Sequence, residues 1–472
     1  MIVRFGRWMA AELASAVGGV LEGPDRSIDR IGTDSREPLP GGLFVALRGA
    51  RFDGHDHLAS AADGGAVAAL VDHRALPDDA PATRIRVDDP LTALRFMGAH
   101  HRRRWGGRVV ALTGSNGKTS TKEMLSVLLG AAGPVGKTPG NQNNRIGAPM
   151  ALLGLQEEPV AVLELGMNEP DEIRDLARMA EPDVAMILNI GPAHIGRLGS
   201  MEAIARAKGE IYEGAPGAVR VGLREDERVM GQLACFRGPA VTFGEHPDAD
   251  VRLVERVPWR DGGGQRVVLR QGMQTTTWEL PLPGAHQARN LAAAWAACLA
   301  LPPDVRPTPE AAAEALKGMT GLEGRGQTET IGDVVVVDES YNANRGSVVA
   351  ALDAVAERAG SAGAPFGLAL GAMNEIEGFE DREHRAVGEH AARLGARFLG
   401  AFGPPESRVE AAAQGARAGG IDGFWERDPD RFFEALKSRL SPRTWLLVKG
   451  SRSARTEQFI ERLKEEVGSC ST

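Results

Sequence analysis

The stretch Arg108-Val-Val-Ala-Leu-Thr-Gly-Ser-Asn-Gly-Lys-Thr119 combines an apolar run, a glycine turn and the start of a helical pattern. Residues 108–112 are typical of a buried strand, and residues 118–129 are typical of a helix. A strand that leads through glycines into a helix presents backbone N–H groups and the positive end of the helix dipole to an anion. This stretch therefore predicts a phosphate-binding loop.

Within this loop each residue type has a chemical reason. Gly114 and Gly117 allow the turn, Lys118 supplies a charge for the β- and γ-phosphates of ATP, and the Thr119 hydroxyl is a ligand for Mg²⁺. Only two residues separate Gly114 from Gly117, so the loop is a shortened variant of the usual pattern. The alternative is an ordinary strand-turn-helix corner. The predicted nucleotide-binding residues here are Thr113, Gly114, Ser115, Asn116, Gly117, Lys118, Thr119 and Ser120.

The sequence on either side of the loop predicts an α/β protein of three domains. Apolar strands at 160–163 and 184–188, separated by a helical stretch, indicate a mostly parallel sheet around the loop. Alternating runs on both sides of Asp261-Gly-Gly-Gly264 indicate antiparallel hairpins, followed by a long helix at 285–301. We predict a small mixed α/β domain at 1–90, a central ATP-binding domain at 91–320 and a Rossmann-like doubly wound domain at 321–472.

Composition excludes several classes of protein. The 472 residues carry a formal net charge of −8, which disfavours a nucleic-acid partner. Cys235, Cys298 and Cys470 are far apart, as expected in a reducing compartment. The first ten residues lack a long apolar segment and no run of apolar residues could span a membrane. We therefore expect a cytoplasmic protein without membrane insertion.

Two side chains near the predicted sheet edge are candidate metal ligands. Glu164 ends the strand at 160–163, beside the phosphate-loop strand, and His194 lies in the loop after the next strand. Ligands collect at the carboxyl ends of strands in such sheets. Each residue alone would be read as structural, but together with Thr119 they predict a Mg²⁺ site.

Lys208 occupies an unusual position in its helix. The helical period of residues 200–212 places it in the apolar stripe with Ile204, and predicts a polar face formed by Glu202, Arg206 and Glu210. A lysine on the buried side must find an anion, extend to the surface, or be chemically altered.

The ordered motifs of the whole chain resemble those of the Mur ligases, a family that extends the peptide of a cell-wall precursor. Within the family the chain is similar to the branch that adds D-alanyl-D-alanine to UDP-N-acetylmuramoyl-tripeptide. The residues that carry the resemblance are Thr33-Asp-Ser-Arg36, Leu43-Phe-Val-Ala-Leu-Arg-Gly49, Phe52-Asp-Gly-His55, the phosphate loop, Gly140-Asn-Gln-Asn-Asn-Arg-Ile-Gly147, Glu164-Leu-Gly-Met-Asn168, Ala207-Lys-Gly-Glu210, Asp338-Glu-Ser-Tyr-Asn-Ala-Asn344 and Lys449-Gly-Ser-Arg452.

The resemblance implies an ATP-dependent ligase that joins an amine to a carboxylate through an acyl-phosphate. It implies that Lys208 is carbamylated and binds Mg²⁺ with Thr119, Glu164 and His194. It further implies that the first domain holds the uridine diphosphate end of the substrate, and we expect a monomer. The remaining implied residues are Lys449 and Arg452 in catalysis, His286, Asn290, Arg325 and Asp338 at the nucleotide, and Ser35, Arg36, Asn143, Asn144, Tyr341, Asn342 and Asn344 at the other substrates.

Three residues depart from the family pattern: Gln287, Arg345 and Ala372 stand where Asn, Pro and Asp are usual. Two alternatives to this function stay open at the level of sequence. One is a sister ligase that adds another amino acid to the precursor or glutamate to folate. The other is a phosphate-loop protein that only hydrolyses nucleotide.

Overall fold

The fold is taken from a computed structural model that describes residues 1–49, 51–260 and 262–469. In that part of the chain three β-sheets follow one another, each with its own helices, which confirms the predicted three-part α/β class. Asp261 and Cys470, named above, lie outside the described residues. No helix within them is long and apolar enough to cross a membrane. The boundaries at residues 90 and 320 stay a prediction.

The first sheet is mixed. Its strand order is β1-β3-β4-β5-β6-β2, with the inner strands parallel and both edge strands antiparallel. The strands are β1 (Ile2–Met9), β2 (Val20–Glu22), β3 (Ser27–Gly32), β4 (Leu43–Val45), β5 (Ala68–Val71) and β6 (Thr83–Arg86). The helices are α1 (Ala10–Val17), α2 (Leu58–Asp63) and α3 (Pro90–Trp105), with a 3₁₀ turn at Gly54–His57.

The second sheet carries the phosphate loop at its centre. Its order is β15-β14-β13-β12-β11-β10-β7-β9-β8, parallel except for the antiparallel β13, β14 and β15 meander at one edge. The strands are β7 (Arg108–Thr113), β8 (Val135–Lys137), β9 (Val160–Glu164), β10 (Val184–Ile187), β11 (Val219–Leu223), β12 (Ala240–Gly244), β13 (Val251–Pro258), β14 (Gln265–Gln271) and β15 (Gln274–Leu280). The helices are α4 (Lys118–Gly130), α5 (Gly147–Leu153), α6 (Glu172–Ala180), α7 (Ile195–Leu198), α8 (Met201–Glu213), α9 (Glu227–Ala234), α10 (Ala285–Ala300) and α11 (Pro309–Leu316).

The third sheet is a parallel sheet with one antiparallel edge strand. Its order is β16-β17-β21-β18-β19-β20, and only β16 runs against its neighbour. The strands are β16 (Gln327–Ile331), β17 (Val334–Glu339), β18 (Phe366–Gly371), β19 (Phe398–Phe402), β20 (Asp422–Glu426) and β21 (Trp445–Lys449). The helices are α12 (Arg345–Ser361), α13 (Glu380–Arg393), α14 (Glu410–Ala418), α15 (Pro429–Lys437) and α16 (Glu457–Ser469), with 3₁₀ turns at Pro405–Ser407 and Arg452–Ala454.

Apolar packing joins the three sheets. Met150 and Leu153 of α5 belong to the core of the first sheet, so the N-terminal part packs on the central one. One continuous cluster contains Ile195 of the central part together with Ala343 and Ile376 of the C-terminal part. The carboxyl-end loops of the second and third sheets therefore face each other across a shared boundary, and side chains from both sheets meet there.

The close approach of α13 and α14 generates a test of the C-terminal core. A Cβ built on Gly388 would overlap the carbonyl oxygen of Ala412 and lie 2.7 Å from the nitrogen of Ala416. We expect Gly388→Ala to lower the free energy of unfolding of this domain by about 1–3 kcal/mol, because an overpacked interface must move apart. This loss of unfolding free energy can be measured by following hydrogen exchange of the α13 and α14 amides at increasing urea concentration.

Gly231 in α9 is the matched control, since a Cβ there meets nothing within 4 Å. Gly231→Ala should stabilise its helix by about 0.5–1 kcal/mol. Equal effects of the two substitutions would contradict the packing assigned to α13 and α14.

Candidate functional site

The phosphate loop lies between the end of β7 and the first turn of α4. Gly117 has φ +81°, and a Cβ on it would lie 2.7 Å from Oδ1 of Asn290, so both conformation and space require glycine there. The Lys118 ammonium donates to the carbonyl of Gly114 at 2.7 Å, inside the curve of the loop. Burial lowers the pKa of Lys118, and nearby Glu164 opposes that shift. The loop thus offers a desolvated cation to an anionic ligand.

The loop after β10 holds the phosphate loop in place. The Asn116 backbone N–H donates to the Asn189 side chain at 2.9 Å, and Asn189 Nδ2 donates back to the Asn116 carbonyl at 3.0 Å. The Ser115 hydroxyl donates to the Gly191 carbonyl at 2.9 Å and accepts from its N–H at 2.8 Å. Asn189 was not predicted from the sequence, because its role depends on β10 lying beside β7.

Glu164 is the buried carboxylate of the site, with 1% of its surface exposed. One oxygen accepts from the Thr119 hydroxyl at 3.0 Å, and the other accepts from the Asn143 amide at 2.6 Å. Since β9 is hydrogen-bonded to β7, the end of one strand places Glu164 against the helix that follows the other. Thr119, Asn143 and Glu164 therefore form one polar cluster beneath the phosphate loop.

Lys122 holds the asparagine-rich loop that carries Asn143, a role that was not predicted. Its side chain is fully buried in α4 and donates to the carbonyls of Thr138 at 2.8 Å and Gly140 at 2.6 Å. Glu123 lies 3.2 Å from the same ammonium. This role depends on carbonyl groups of a separate segment that converge on the Lys122 ammonium. Only the folded chain brings that segment and α4 together.

Lys208 is buried as its helical position predicts, with 1% of its surface exposed. Burial lowers the pKa of its ammonium well below the usual value, and the charge of Lys118 lowers it further. Among the described residues no carboxylate forms an ion pair with it. A buried cation beside a second cation is unfavourable unless it is neutral or an anion joins it.

The predicted polar face of α8 is wrong at one position. Glu202 and Arg206 are exposed, but Glu210 is buried. Its two oxygens accept from the backbone N–H groups of Asp171 at 2.7 Å and Arg174 at 3.2 Å, at the start of α6. Helical period alone cannot show that a second helix end covers this side of α8.

His194 meets a residue of the C-terminal domain that was not predicted. Its Nδ1 lies 2.7 Å from Oε2 of Glu375, and the imidazole holds the pKa of Glu375 below its usual value. Both residues line the cleft that contains the phosphate loop. The sequence signal for Glu375 was its place one residue beyond the Gly371-Ala-Met-Asn segment at the end of β18.

The C-terminal wall of the cleft is built on β17, β21 and the first turn of α12. Lys449 is 2% exposed and donates to Glu339 Oε2 at 3.0 Å and to the Asn342 carbonyl at 2.9 Å. The guanidinium of Arg325 lies 4.1 Å from the centre of the Tyr341 ring, a cation–π contact. Glu339, the partner of Lys449, was quoted within a motif but not assigned a role.

The first residues of α10 form a third side of the cleft. His286, Gln287 and Asn290 line the cleft, and burial lowers the pKa of His286. The Asn290 amide donates to Gln287 Oε1 at 3.1 Å. The unusual glutamine therefore orients Asn290, whose side chain touches Gly117 of the phosphate loop.

The cleft has a volume of about 540 Å³ and brings together most of the predicted residues. Those that line it are Ser115 to Ser120, Asn143, Asn144, Glu164, His194, His286, Asn290, Arg325, Tyr341, Asn342, Asn344 and Lys449. Unpredicted lining residues include Asn189, Glu339, Ser347 and Glu375.

Several predicted residues lie away from the lining. Lys208 is not part of the lining but lies close enough to Lys118 for their charges to interact. Thr113 is the last residue of β7, and Gly114 follows it. Arg452 projects outward with its side chain 72% exposed, 3.5 Å from Glu457. Asp338 accepts from the Ser340 N–H at 2.9 Å. Ser35 and Arg36 lie in the first domain, where Arg36 pairs with Asp34 at 2.6 Å.

The residues present fit a Mg²⁺ ion only if Lys208 is modified. Within the described residues no group of three His, Cys, Asp or Glu side chains could hold a metal. The polar cluster supplies one carboxylate and one hydroxyl, His194 lines the same cleft, and Lys208 is a buried amine without a carboxylate partner among the described residues. Conversion of that amine to a carbamate would replace a repelling cation by two oxygen ligands, which are the ligands that Mg²⁺ prefers.

Comparison with known sequences and structures agrees with this architecture. Three family descriptions match in order: "Mur ligase family, catalytic domain" at residues 27–102, "Mur ligase middle domain" at 112–298 and "Mur ligase, glutamate ligase domain" at 324–452. The UDP-N-acetylmuramoyl-tripeptide–D-alanyl-D-alanine ligase of Escherichia coli (strain K12) is 34% identical, over 98% of this chain and 99% of that protein.

The fold is also similar to those of solved MurF structures. MurF from Acinetobacter baumannii is 31% identical, covers 98% of this chain and 100% of its own, and superposes with a TM-score of 0.87. The MurF ligase from Thermotoga maritima in complex with ADP is 26% identical, covers 93% and 98%, and has a TM-score of 0.80. Full-length identity above 30% and three family matches in order establish that this chain belongs to the Mur ligase family.

Proposed function

We propose that this protein is an ATP-dependent ligase that adds D-alanyl-D-alanine to UDP-N-acetylmuramoyl-tripeptide, a step in the synthesis of peptidoglycan precursors. The observation that carries the proposal is a single cleft formed by the phosphate loop, Glu164 and His194 on one side and by Lys449, Asn342 and Asn344 on the other. Three curated relatives that are more than 30% identical are named UDP-N-acetylmuramoyl-tripeptide–D-alanyl-D-alanine ligases. Their names support this function over the sister-ligase alternative.

The reaction has two chemical steps. A carboxylate is a poor electrophile, so transfer of the γ-phosphoryl group of ATP first makes an acyl-phosphate, which the amine of D-alanyl-D-alanine then attacks. Lys118 and the N–H groups at the start of α4 bind the phosphates and stabilise the charge that develops on them. Lys449, held by Glu339, faces them from the C-terminal domain.

The reaction also requires that water be kept out of the cleft. An acyl-phosphate exposed to solvent would hydrolyse, so the middle and C-terminal domains must enclose it. The apolar cluster that contains Ile195, Ala343 and Ile376 provides the contact for that enclosure. A protein that only hydrolysed nucleotide would need no such second wall, and this distinguishes the ligase from the switch-protein alternative.

We propose Thr119, Glu164, His194 and carbamylated Lys208 as the residues that hold Mg²⁺. Bound Mg²⁺ would neutralise charge on the transferred phosphoryl group. The neutral amine needed for carbamylation is favoured by burial and by Lys118, both of which lower the pKa of Lys208. A carbamate at this position would add negative charge beside Lys118 and the divalent cation, whereas an ammonium would repel both.

The other substrates are assigned by position. Asn143 and Asn144 would contact the acyl substrate, and Tyr341, Asn342 and Asn344 the incoming amine. His286, Asn290, Arg325 and Asp338 would contact ATP, and Arg452 would approach the acyl-phosphate. The uridine diphosphate end would bind the first domain near Ser35 and Arg36. A monomer in the cytoplasm remains the expectation.

Product analysis tests the function directly. The protein is incubated with UDP-N-acetylmuramoyl-tripeptide, ATP and one amine at a time, and products are identified by mass spectrometry. We expect the pentapeptide product with D-alanyl-D-alanine and ADP release that depends on both other substrates. Equal ADP release without the nucleotide-sugar peptide would contradict a ligase.

Substitution of Lys118 tests the phosphate loop. We expect Lys118→Ala to lower kcat by about 10²–10³-fold or more, because a preorganised charge facing the transferred phosphoryl group is lost. Circular dichroism should be unchanged. Lys317→Ala, an exposed lysine after α11, is the control and should retain normal turnover. Near-normal turnover of Lys118→Ala would show that ATP binds elsewhere.

Substitution of Lys208 tests the modification. We expect Lys208→Ala to be nearly inactive and to be partly restored by acetate, whose oxygens can occupy the space of the carbamate. In the parent protein, ¹³C-bicarbonate should give a carbamate signal in the NMR spectrum that is absent from Lys208→Ala. An unmodified amine in active protein, together with no rescue, would leave Lys208 as a purely structural residue.

A further inference from the structure

The β13–β14 hairpin of the central domain contacts helix α12 of the C-terminal domain through an ion pair. Arg256 on β13 donates from both terminal nitrogens to the two carboxylate oxygens of Glu357 on α12, each at 2.8 Å. Both side chains are partly shielded, with 22% of Arg256 and 31% of Glu357 exposed. A contact at two points fixes the orientation of its partners as well as the distance between them.

The same guanidinium also contacts Gln265 on β14. One of its nitrogens donates to Gln265 Oε1 at 3.3 Å. Gln265 is fully buried, and its Nε2 donates to the carbonyls of Leu282 at 2.7 Å and Gly284 at 2.9 Å. Because a guanidinium only donates and carbonyls only accept, this orientation of the amide satisfies all of these contacts. Arg256 is thereby linked to the segment that leads into α10.

The segment before α10 is packed closely against α12. Gly284 has φ +96°, and a Cβ built on it would lie 2.8 Å from Cε1 of His286 and 2.9 Å from Cβ of Ala354. His286 and α12 therefore approach each other so closely that this position must lack a side chain. A small pocket beside His286 is lined by Leu282 from the central domain and by Ala351 and Ala354 from α12. The position of α12 against this segment sets the shape of the cleft next to His286.

We propose that Arg256 is a positioning residue that holds together two walls of the nucleotide cleft, the start of α10 and helix α12. The first wall carries His286, and the second presents Asn344 and Ser347 where α12 begins. Arg256 itself lies outside the lining of the cleft, so it acts through these residues and not by contact with the nucleotide. This inference rests on the nucleotide site of the proposed function.

A second ion pair on the same hairpin provides a matched control. Arg266 on β14 lies 3.2 Å from Glu255 on β13, and both side chains are about half exposed. This pair joins two strands of the central domain and does not reach α12. Exposed ion pairs of this kind commonly contribute little to stability. Removal of Arg266 therefore takes one arginine from the hairpin and leaves the contact between the two walls in place.

The test measures ADP binding to the full-length protein by isothermal titration calorimetry. It also measures kcat and the KM for ATP, with the nucleotide-sugar peptide and the dipeptide at saturating concentrations. Urea unfolding reports the stability of each variant separately. The variants compared with the parent are Arg256→Ala, Arg256→Lys, Glu357→Ala, the double variant Arg256→Ala/Glu357→Ala and the control Arg266→Ala.

We expect Arg256→Ala to weaken ADP binding and to raise the KM for ATP by about 5–50-fold, because the two walls lose their common support. The kcat at saturating ATP should be unchanged, since the phosphate loop is intact. The double variant should bind ADP no more weakly than Arg256→Ala, because both remove the same contact. Arg256→Lys should stay impaired, since an ammonium cannot make the two-point contact with Glu357. Arg266→Ala should match the parent.

The outcomes separate this inference from the nucleotide site itself. Parent-like ADP affinity in Arg256→Ala would overturn the positioning role, even if urea unfolded the variant earlier, since the pair would then only stabilise the fold. Additive losses in the double variant would overturn it too, because the two residues would then act independently. If Arg256→Ala does not fold, a parent-like ADP affinity in Glu357→Ala has the same meaning. If Lys118→Ala bound ADP as tightly as the parent, the nucleotide site of the proposed function would fail as well.

Discussion

The rest of the site depends on Lys208 being buried close to the partly desolvated ammonium of Lys118. Two ammonium groups in a desolvated region repel each other and lose hydration, so each must be neutralised or joined by an anion. Lys118 is the charge that a polyphosphate would neutralise. Lys208 has no acid partner among the described residues. Carbamylation would remove the repulsion from Lys118, because it converts the side chain from a cation to an anion. This pair is the reason for our proposal that the nucleotide binds together with Mg²⁺.

The cleft is divided between two domains, and each supplies what the other lacks. The central sheet provides the phosphate loop and Glu164, whose oxygens are already occupied by Thr119 and Asn143. The third sheet provides Lys449, held in place by Glu339. Activation of a carboxylate and its attack by an amine must follow one another without water, so a site that closes between two rigid sheets suits the chemistry.

Much of this could be predicted from local sequence. The phosphate loop was recognisable because a strand, glycines and a helix start occur in one continuous stretch, and Lys208 because a lysine in an apolar stripe is an anomaly. The prediction that Glu210 lies on the polar face of α8 was wrong, because helical periodicity describes one helix by itself. In the folded chain the start of α6 covers Glu210. Lys122 was missed because its carbonyl partners come from a separate loop.

The sequence by itself determined the fold class, the phosphate loop, the order of motifs and the anomaly at Lys208, since these depend on residues near one another in the chain. Only the tertiary structure decided which side chains share the cleft. Asn189 meets Asn116 because β10 lies beside β7, and Glu375 meets His194 because two domains dock without space for a Cβ at Gly196. Such contacts depend on the packing of distant segments, which local propensity and periodicity do not encode.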